Sequence, residues 1–361
     1  MYRSLAAATL AFSLALGGRA VSQPNPAPIV READFVLRDF RFQSGEHLPE
    51  LKLHYRTLGA PVRDPSGAVT NAVLILHGTG GSGAQFLRPQ FAGELFGPGQ
   101  LLDAQKYFII LPDDIGHGNS SKPSDGLRAH FPRYDYDDMV RAEHALVTEG
   151  LGVVKLRLVM GASMGCMHSF MWAEMWPDAE RAAMPLACLP VAIAGRNRLW
   201  RRMIIDDIEH DPAWNGGDYK SQPRNGLNAA ADILTIAGSA PAVMQKTMSS
   251  PAAVDRYVDG PLAEMATGLD ANDLIYQVDS SRDYDPSAGL ESIRAPVMWI
   301  NSADDFINPP ELGIAEREAH RLKSGRFVLL PISDLTHGHG THTWAVAWKS
   351  YLAELLVSTG R

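Results

Sequence analysis

A serine between two glycines is the feature of this 361-residue sequence that most directly suggests chemistry. Ser163 lies in LRLVMGASMGCMHSF, residues 156–170, with Gly161 two positions before it and Gly165 two positions after it. The apolar β-formers before the serine predict a strand, and the apolar residues after it predict a helix. A serine at such a turn projects its hydroxyl beyond the sheet edge, close to the first N–H groups of the helix. The pattern therefore predicts that Ser163 is a nucleophile.

An acidic residue after a later strand is the next requirement, because a serine hydroxyl needs a base, and the base needs an acid to orient it. In the fold that carries G-x-S-x-G, the chain order is serine, acid, histidine. The stretch VMWINSADDFINPP begins at Val297 as a strand and runs into a loop that contains Asp304 and Asp305. We predict Asp305 as the acid. Asp304 is the alternative, and it would otherwise bind backbone N–H groups within the loop.

Three histidines follow the last predicted strand, in RFVLLPISDLTHGHGTH. We predict His339 as the general base and later the general acid, because the glycines on either side let its loop approach the nucleophile. The other candidates are His337 and His342. The spacing H-x-H-x-x-H is also compatible with a zinc site, but zinc would leave the serine pattern unexplained. The sequence therefore predicts no metal and no organic cofactor.

A glycine-rich loop, LILHGTGGSG, follows another strand and is the natural source of an oxyanion hole. We predict the backbone amides of Thr79 and Met164 as its two donors. The loop lacks the lysine of a P-loop, so the pattern does not indicate a nucleotide site. In the next loop, DDIGHGNSSKP, His117 is predicted to be packed rather than catalytic.

The elements that must position these residues alternate between strands and helices. Two amphipathic strands predict an antiparallel edge hairpin, and the remaining strands are nearly all apolar, as strands buried on both faces are. The predicted strands are 35–42, 50–59, 72–78, 107–113, 156–161, 183–189, 297–305 and 326–332. A helix is predicted in YDDMVRAEHALVTEGLG and an amphipathic one in TWAVAWKSYLAELLVS. The pattern predicts an α/β fold with a mostly parallel sheet.

The alternation stops between residues 191 and 290, which show helical periodicity without strands. We predict that this segment is a helical cap, inserted into a core formed by residues 21–190 and 291–361. Such a cap would shape a pocket above the carboxyl edge of the sheet and exclude water from it.

The N-terminus differs from the rest in composition. An early arginine, an apolar run from Leu5 to Leu16 and small residues at Gly18 and Ala20 predict a secretory signal peptide over residues 1–20. The mature protein is therefore expected to be periplasmic or secreted, with no stable membrane association after cleavage.

Charge and cysteine content exclude several classes of protein. The formal charge is −8, and the sequence contains no basic stripe, so nucleic acid is not expected as a partner. Cys166 and Cys188 are the two cysteines. A bond between them is compatible with an oxidising compartment, but two separately buried thiols are the expected state.

Because it contains these motifs, the sequence resembles the α/β-hydrolases and, within them, the homoserine O-acetyltransferase branch. The stretches that carry the resemblance include FQSGEHLPELKLHYRTLG, AVLILHGTGGSG, GASMGCMHSFMWAEMWPD, DPAWNGGDY, DDFINPP and GHGTH. The resemblance implies an eight-stranded sheet with a helical lid, and dimerisation through that lid. It also implies that the nucleophile, acid and base are Ser163, Asp305 and His339.

The substrate expected from the residues differs from that of the homoserine O-acetyltransferases. Their cap helix carries an arginine and a tyrosine that help to hold the amino acid, whereas GLNAAADILTIAGSAP has alanines and glycine there. Cys166 and His168 stand where the family has glycine and glutamine. In addition, acetyl-CoA is a cytoplasmic acyl donor, whereas this chain is predicted to be exported. We therefore expect a serine hydrolase that cleaves small carboxylic esters or amides. The alternatives are an O-acyltransferase of the homoserine O-acetyltransferase type, and a non-catalytic binding protein on the same scaffold.

Overall fold

The central sheet has eight strands in a computed structural model that describes residues 28–360. Five of the strands are buried along their whole length, as their nearly unbroken apolar sequences predict. The strands are β1 Val30–Arg41, β2 His47–Leu58, β3 Ala72–Leu76, β4 Phe108–Pro112, β5 Leu158–Ala162, β6 Ala183–Leu186, β7 Val297–Ser302 and β8 Gly325–Leu330.

The order of strands across the sheet is β1-β2-β4-β3-β5-β6-β7-β8. β1 and β2 form an antiparallel hairpin at one edge, and β2 also pairs antiparallel with β4. All the other neighbours are parallel. The predictions of an edge hairpin and of a mostly parallel α/β sheet are confirmed. The carboxyl ends of β3, β5, β7 and β8 consequently lie along one rim, where the loops with candidate residues meet.

Helices cover both faces of the sheet and form the segment between β6 and β7. The helices are α1 Ala92–Leu95, α2 Tyr136–Ala145, α3 Met164–Met175, α4 Gly195–Glu209, α5 Arg224–Gly238, α6 Pro241–Thr247, α7 Pro251–Tyr257, α8 Ala263–Thr267, α9 Ala271–Asp279, α10 Ile314–Ala319 and α11 Lys349–Ser358. α2 and α3 pack on one face, and α1 and α11 pack on the other. The helices α4, α5 and α9 share a smaller apolar core of their own.

The last helix starts later than the sequence predicts. TWAVAWKSYLAELLVS was expected to be helical throughout, but α11 begins at Lys349, and short 3₁₀ turns precede it. The Trp344 ring stacks on His337, and the Ala345 amide donates to the Gln90 carbonyl at 3.1 Å. These tertiary contacts draw the first residues away from helical pairing.

The predicted signal peptide, residues 1–20, lies outside the described residues, so the structure does not bear on it. Within residues 28–360, no single helix is long and apolar enough to cross a membrane. The pair α5 and α6, which is bent by 109°, meets that test only when the two are taken together.

Candidate active site

Ser163 occupies a strained turn between β5 and α3. Its φ is 56° and its ψ is −110°, a backbone conformation that residues other than glycine rarely adopt. The sequence predicted this turn from the change of periodicity around the serine. The turn places the hydroxyl at the carboxyl rim of the sheet, directly before the first amide groups of α3.

The two flanking glycines are required by close backbone contacts. A Cβ on Gly161 would lie 2.1 Å from the carbonyl oxygen of Gly165, and a Cβ on Gly165 would lie 2.1 Å from that of Leu76. Neither position has room for a side chain. The glycines therefore let α3 start against β3 and β5, and this close packing holds Ser163 at the rim.

Three side chains that are far apart in the sequence meet at this rim. The Ser163 Oγ lies 2.8 Å from the Nε2 of His339, and the His339 Nδ1 lies 2.9 Å from the Oδ2 of Asp305. Since an ionised Asp305 accepts from Nδ1–H, the Nε2 of a neutral ring is left to accept the proton of the serine hydroxyl. The residues that the sequence predicted as nucleophile, base and acid are thus within hydrogen-bond distance of one another.

Asp305 is held as an anion in a buried place. Burial alone would raise its pKa, but the opposing effects of His339 and of hydrogen bonds from Asn308 and Ile307 lower it below the ordinary value. The backbone amide of Ile307 donates to Oδ1 at 2.8 Å, and the Asn308 side-chain amide donates to Oδ2 at 2.9 Å. Asn308 could not be predicted from the sequence, because an asparagine in a loop carries no signal without its partner.

Asp304, the alternative acid, points elsewhere. It accepts a hydrogen bond from the Ser302 hydroxyl and another from the Gly338 backbone amide, at 3.0 Å for the latter. This contact joins the loop after β7 to the loop that carries His339. Asp304 thus binds a backbone N–H group, the role predicted for it if Asp305 faces the imidazole.

The other two histidines of the last loop have separate environments. The His337 ring stacks on Trp344, with ring centres 4.0 Å apart. His342 lies behind His339, where its Nδ1 is 2.5 Å from the His339 carbonyl oxygen. Burial and the neighbouring His339 lower the pKa of His342 to about 3, so its ring is neutral. His342 therefore acts as a neutral support beneath the His339 backbone.

The predicted oxyanion donors, Thr79 and Met164, are each adjacent in sequence to a residue at the turn, Gly78 and Ser163 respectively. The amide of Met164 is the first of α3, and Thr79 follows Gly78, whose Cβ would lie 3.3 Å from that of Ser163. Neither amide donates to another residue in the described part of the chain. An oxyanion hole requires unpaired amides, so both residues meet this requirement of the predicted role.

His77 fixes the loop that carries Thr79. Its Nε2 accepts from the Asp114 amide at 3.0 Å, and its Nδ1 donates to the Gly78 carbonyl at 2.9 Å. The His77 carbonyl in turn accepts from the Gly165 amide at 2.9 Å. Hydrogen bonds therefore join the loop that carries Thr79 to the start of α3, so the amides of Thr79 and Met164 keep one relative position.

A buried acidic group beneath this loop was not predicted. Asp114, Glu143 and His168 are almost fully buried, and one candidate ligand atom from each lies within 4.8 Å of the others. These are donor types that hold divalent cations. Burial raises the pKa of Glu143 to about 7, and burial together with Glu143 raises that of Asp114 well above its ordinary value. Both carboxyl groups therefore hold a proton to higher pH than an exposed carboxyl group does.

A disulfide links the nucleophile helix to the loop after β6. Cys166 and Cys188 are bonded, with their Cα atoms 5.8 Å apart, so the prediction of two separate thiols is wrong. The pairing follows from the fold, because Cys166 is in the first turn of α3 and β6 pairs with β5, the strand that leads into it. At Ala187 a φ of 66° turns the chain directly after β6, just before Cys188.

A mainly apolar cavity of about 430 Å³ lies at the same rim, next to the loop after β7 that carries Asp305. It is lined by Met167 of α3, by the start of α4 and by the loops after β6 and β7. The cavity thus lies where the segment between β6 and β7 meets the loop after β7 and helix α3. Asn308 lines this cavity and also contacts Asp305, so the cavity adjoins the back of the site.

The chain matches a family model described as alpha/beta hydrolase fold over residues 71–331. It is 32% identical to a homoserine O-acetyltransferase from Pelobacter propionicus, a match that covers 86% of this chain and 92% of that protein. It is 29% identical to a probable acyltransferase from Methanothermobacter thermautotrophicus, over 77% of this chain and 84% of that one.

Two solved structures are similar over nearly the whole described fold. The acetyl esterase MekB matches with a TM-score of 0.79 and 25% identity, over 91% of this chain and 97% of that one. A homoserine O-acetyltransferase from Bacillus anthracis matches with a TM-score of 0.79 over 92% of this chain and 98% of that one. The latter is 20% identical and supports the fold alone.

Proposed function

The chain belongs to the α/β-hydrolase family, in the branch that contains homoserine O-acetyltransferases, and we propose that it transfers an acyl group from a small ester to an acceptor hydroxyl through an acyl-enzyme at Ser163. The observation that carries the proposal is the chain of contacts from Ser163 Oγ through the His339 ring to Asp305. Curated relatives with 29–32% identity are acyltransferases, so transfer has more support than the hydrolysis expected from sequence.

In the first half-reaction, His339 Nε2 takes the proton of the Ser163 hydroxyl as the oxygen attacks the ester carbonyl. The negative charge on the carbonyl oxygen is stabilised by the amides of Thr79 and Met164. The tetrahedral intermediate expels the alcohol, which leaves with the proton from His339. Asp305 keeps the imidazole in the reactive tautomer and stabilises its charged form throughout.

In the second half-reaction, an acceptor hydroxyl occupies the place of the departed alcohol. His339 takes its proton, the new oxygen attacks the acyl-serine, and collapse of the intermediate returns the proton to Ser163. The side chains needed for this are the same whether the acceptor is an alcohol or water. The acceptor is therefore selected by the pocket and not by the three reacting groups.

Hydrolysis of small carboxylic esters is the second candidate, and two observations favour it. Helix α5 carries alanines and a C-terminal glycine where the acetyltransferases have the arginine and tyrosine that hold the amino acid. The acetyl esterase MekB also shares this fold at 25% identity. Export of the chain, predicted from residues 1–20, stays a prediction; it would place the enzyme away from acetyl-CoA and would also favour an ester as acyl donor.

The fate of the acyl group separates the two candidates. The protein is incubated with 4-nitrophenyl acetate and increasing homoserine, serine or a simple alcohol, and both free acetate and the new acetyl ester are quantified. We expect an acceptor that accelerates nitrophenolate release and receives most of the acetyl group. If free acetate accounts for all the nitrophenolate at every acceptor concentration, the enzyme is a hydrolase.

A fluorophosphonate probe tests the third alternative, a binding protein without catalysis. The folded protein should be labelled at Ser163, and Ser163→Ala should not be labelled. Absence of labelling in the folded wild-type protein, together with no turnover of any ester, would contradict both enzymatic candidates.

A further inference from the structure

Arg201 is a buried cation without a buried anion. Its side chain is 2% exposed on cap helix α4, and no carboxylate lies within ion-pair distance among residues 28–360. Its Nε donates to the Asn197 side chain at 3.0 Å, and its Nη1 reaches the Val278 carbonyl at a long 3.5 Å. The guanidinium carbon lies 4.5 Å from the centre of the Trp200 ring. Burying a guanidinium so incompletely paired is costly.

Two other buried arginines show how this chain usually compensates such a charge. Arg56 pairs with Asp113 at 2.7 Å and with Glu32 at 2.8 Å. Arg157 donates to the Leu356 carbonyl at 2.9 Å, at the C-terminal end of α11, where the helix dipole is negative. Arg201 has no carboxylate partner, and its one helix-end contact, with the Val278 carbonyl near the C-terminal end of α9, is long at 3.5 Å, so its charge is less well compensated than theirs.

Further unsatisfied polar groups lie around Arg201. The hydroxyls of Tyr136 and Thr79 and the indole N–H of Trp200 are buried and have no hydrogen-bond partner in the described residues. Burial raises the pKa of Tyr136, while the adjacent Arg201 guanidinium and the Thr79 hydroxyl act in the opposite direction. Each of these groups can donate a hydrogen bond and the two hydroxyls can also accept one, but a carboxylate would add two further acceptor oxygens and the negative charge that Arg201 lacks.

The position of the cluster links it to the reacting groups. Thr79 supplies the predicted oxyanion amide, and it follows Gly78, which lies against Ser163. Its hydroxyl lies beside Tyr136 at the start of α2, and Tyr136 in turn lies beside Arg201 of α4. The donor cluster therefore extends from the loop that carries Thr79 to α4, the first helix of the segment between β6 and β7.

We propose that Arg201, with the hydroxyls of Tyr136 and Thr79, binds a carboxylate carried by the substrate. This inference builds on the proposed function, since it names the substrate class: small esters with a carboxylate on the acyl side or on the alcohol side. Binding that carboxylate replaces lost hydration with charge-assisted hydrogen bonds and holds the ester carbonyl over Ser163. A neutral ester of the same shape leaves the guanidinium uncompensated and is turned over less efficiently.

Two pairs of isosteric esters test the proposal and distinguish the two sides. Monoethyl succinate is compared with ethyl 4-methylpentanoate for an acyl-side carboxylate. For an alcohol-side carboxylate, 3-acetoxypropanoate is compared with isopentyl acetate. In at least one pair, kcat/KM for the charged ester should exceed that of its neutral partner by about 10- to 100-fold.

The variant Arg201→Met should bring this ratio to within about threefold of one, because methionine keeps the apolar bulk and removes the charge. Arg202→Met is the matched control: Arg202 is the next residue on α4, is exposed and pairs with Asp206, so its loss should leave the ratio unchanged. A ratio near one in both pairs for the wild-type protein, or an equal ratio in wild type and Arg201→Met, would overturn the proposal.

Binding to a non-reacting protein separates this proposal from the proposed function. Calorimetry on Ser163→Ala should detect monoethyl succinate or 3-acetoxypropanoate, and the additional Arg201→Met change should weaken that binding at least tenfold. If this holds while no ester is turned over by the wild-type protein, the anion site stands and the acyl-transfer function fails. Equal binding by both proteins contradicts the anion site, whatever the activity.

Discussion

Replacement of Gly165 by alanine tests whether the strained turn at Ser163 depends on close backbone packing. The added Cβ would lie 2.1 Å from the Leu76 carbonyl oxygen and 2.4 Å from its carbon, whereas ordinary contacts begin at about 3.4 Å. The start of α3 must therefore move away from β3 by about 1.3 Å. Both contacts are with backbone in the centre of the sheet, so no side-chain rotation relieves them.

Two effects should follow, and they are measured separately. Overpacking of this size should lower the free energy of unfolding by about 3 kcal/mol, read from urea denaturation. Displacement of the serine by about 1 Å should slow fluorophosphonate labelling of the remaining folded protein by about 100-fold. The labelling is done where denaturation shows the variant to be folded.

Gly238→Ala is the matched control, because a Cβ at Gly238 meets nothing within 4 Å and the residue ends an exposed turn of α5. Its stability should be equal or higher by about 0.5 kcal/mol. If Gly165→Ala keeps its stability within about 0.5 kcal/mol and its labelling rate within about twofold, then the close approach of α3 to β3 does not position the nucleophile.

Three further predictions follow from single contacts. Asp305→Asn should reduce kcat by about 10⁴-fold and Asp304→Asn by less than about tenfold, since Asp305 alone contacts the imidazole; equal losses in ester turnover would reverse the assignment. Replacing Cys166 and Cys188 by serine opens a loop with a sequence separation of 22, so urea denaturation should show a loss of about 3 kcal/mol, and an unchanged midpoint would contradict the bond. Burial raises the pKa of Glu180 to about 8, so wild-type stability should fall as pH rises from about 4.5, the ordinary value, to about 8. Glu180→Gln should make that fall in melting temperature smaller, while Glu143 and Asp114, whose pKa values are also raised, still contribute to it; a parallel pH profile for both proteins would show that the Glu180 carboxyl is ionised in the folded state.

Local sequence patterns were sufficient to predict most of the architecture and the three side chains that lie within hydrogen-bond distance at the rim. The periodicity change at Ser163 and the glycines on each side of it define a turn that few other structures accommodate. Asp305 and His339 follow strands whose apolar character is visible in the sequence, and parallel strands bring their carboxyl ends to one rim. These inferences succeed because each depends on neighbours within a few positions.

The features that the sequence did not reveal depend on contacts across the fold. The Cys166–Cys188 bond depends on the pairing of β5 with β6 and on the turn at Ala187. Neither feature can be predicted from the spacing of residues in the sequence. Arg201 resembles any other charged residue of an arginine-rich helix until the packing of α4 shows that its side chain is buried without an anion. Polar clusters in a core are specified by tertiary packing, which one sequence does not display.

The mass of the intact protein during turnover tests the central claim most directly. The wild-type protein is mixed with 4-nitrophenyl acetate, quenched in acid within the first turnovers and analysed by mass spectrometry, with Ser163→Ala as the control. The account predicts one acetyl group on the wild-type protein, located at Ser163, and nitrophenolate release by Ser163→Ala that is slower by about 10⁶-fold. Release at a similar rate by Ser163→Ala, or an acetyl group located on another residue, would contradict an acyl-enzyme at this serine.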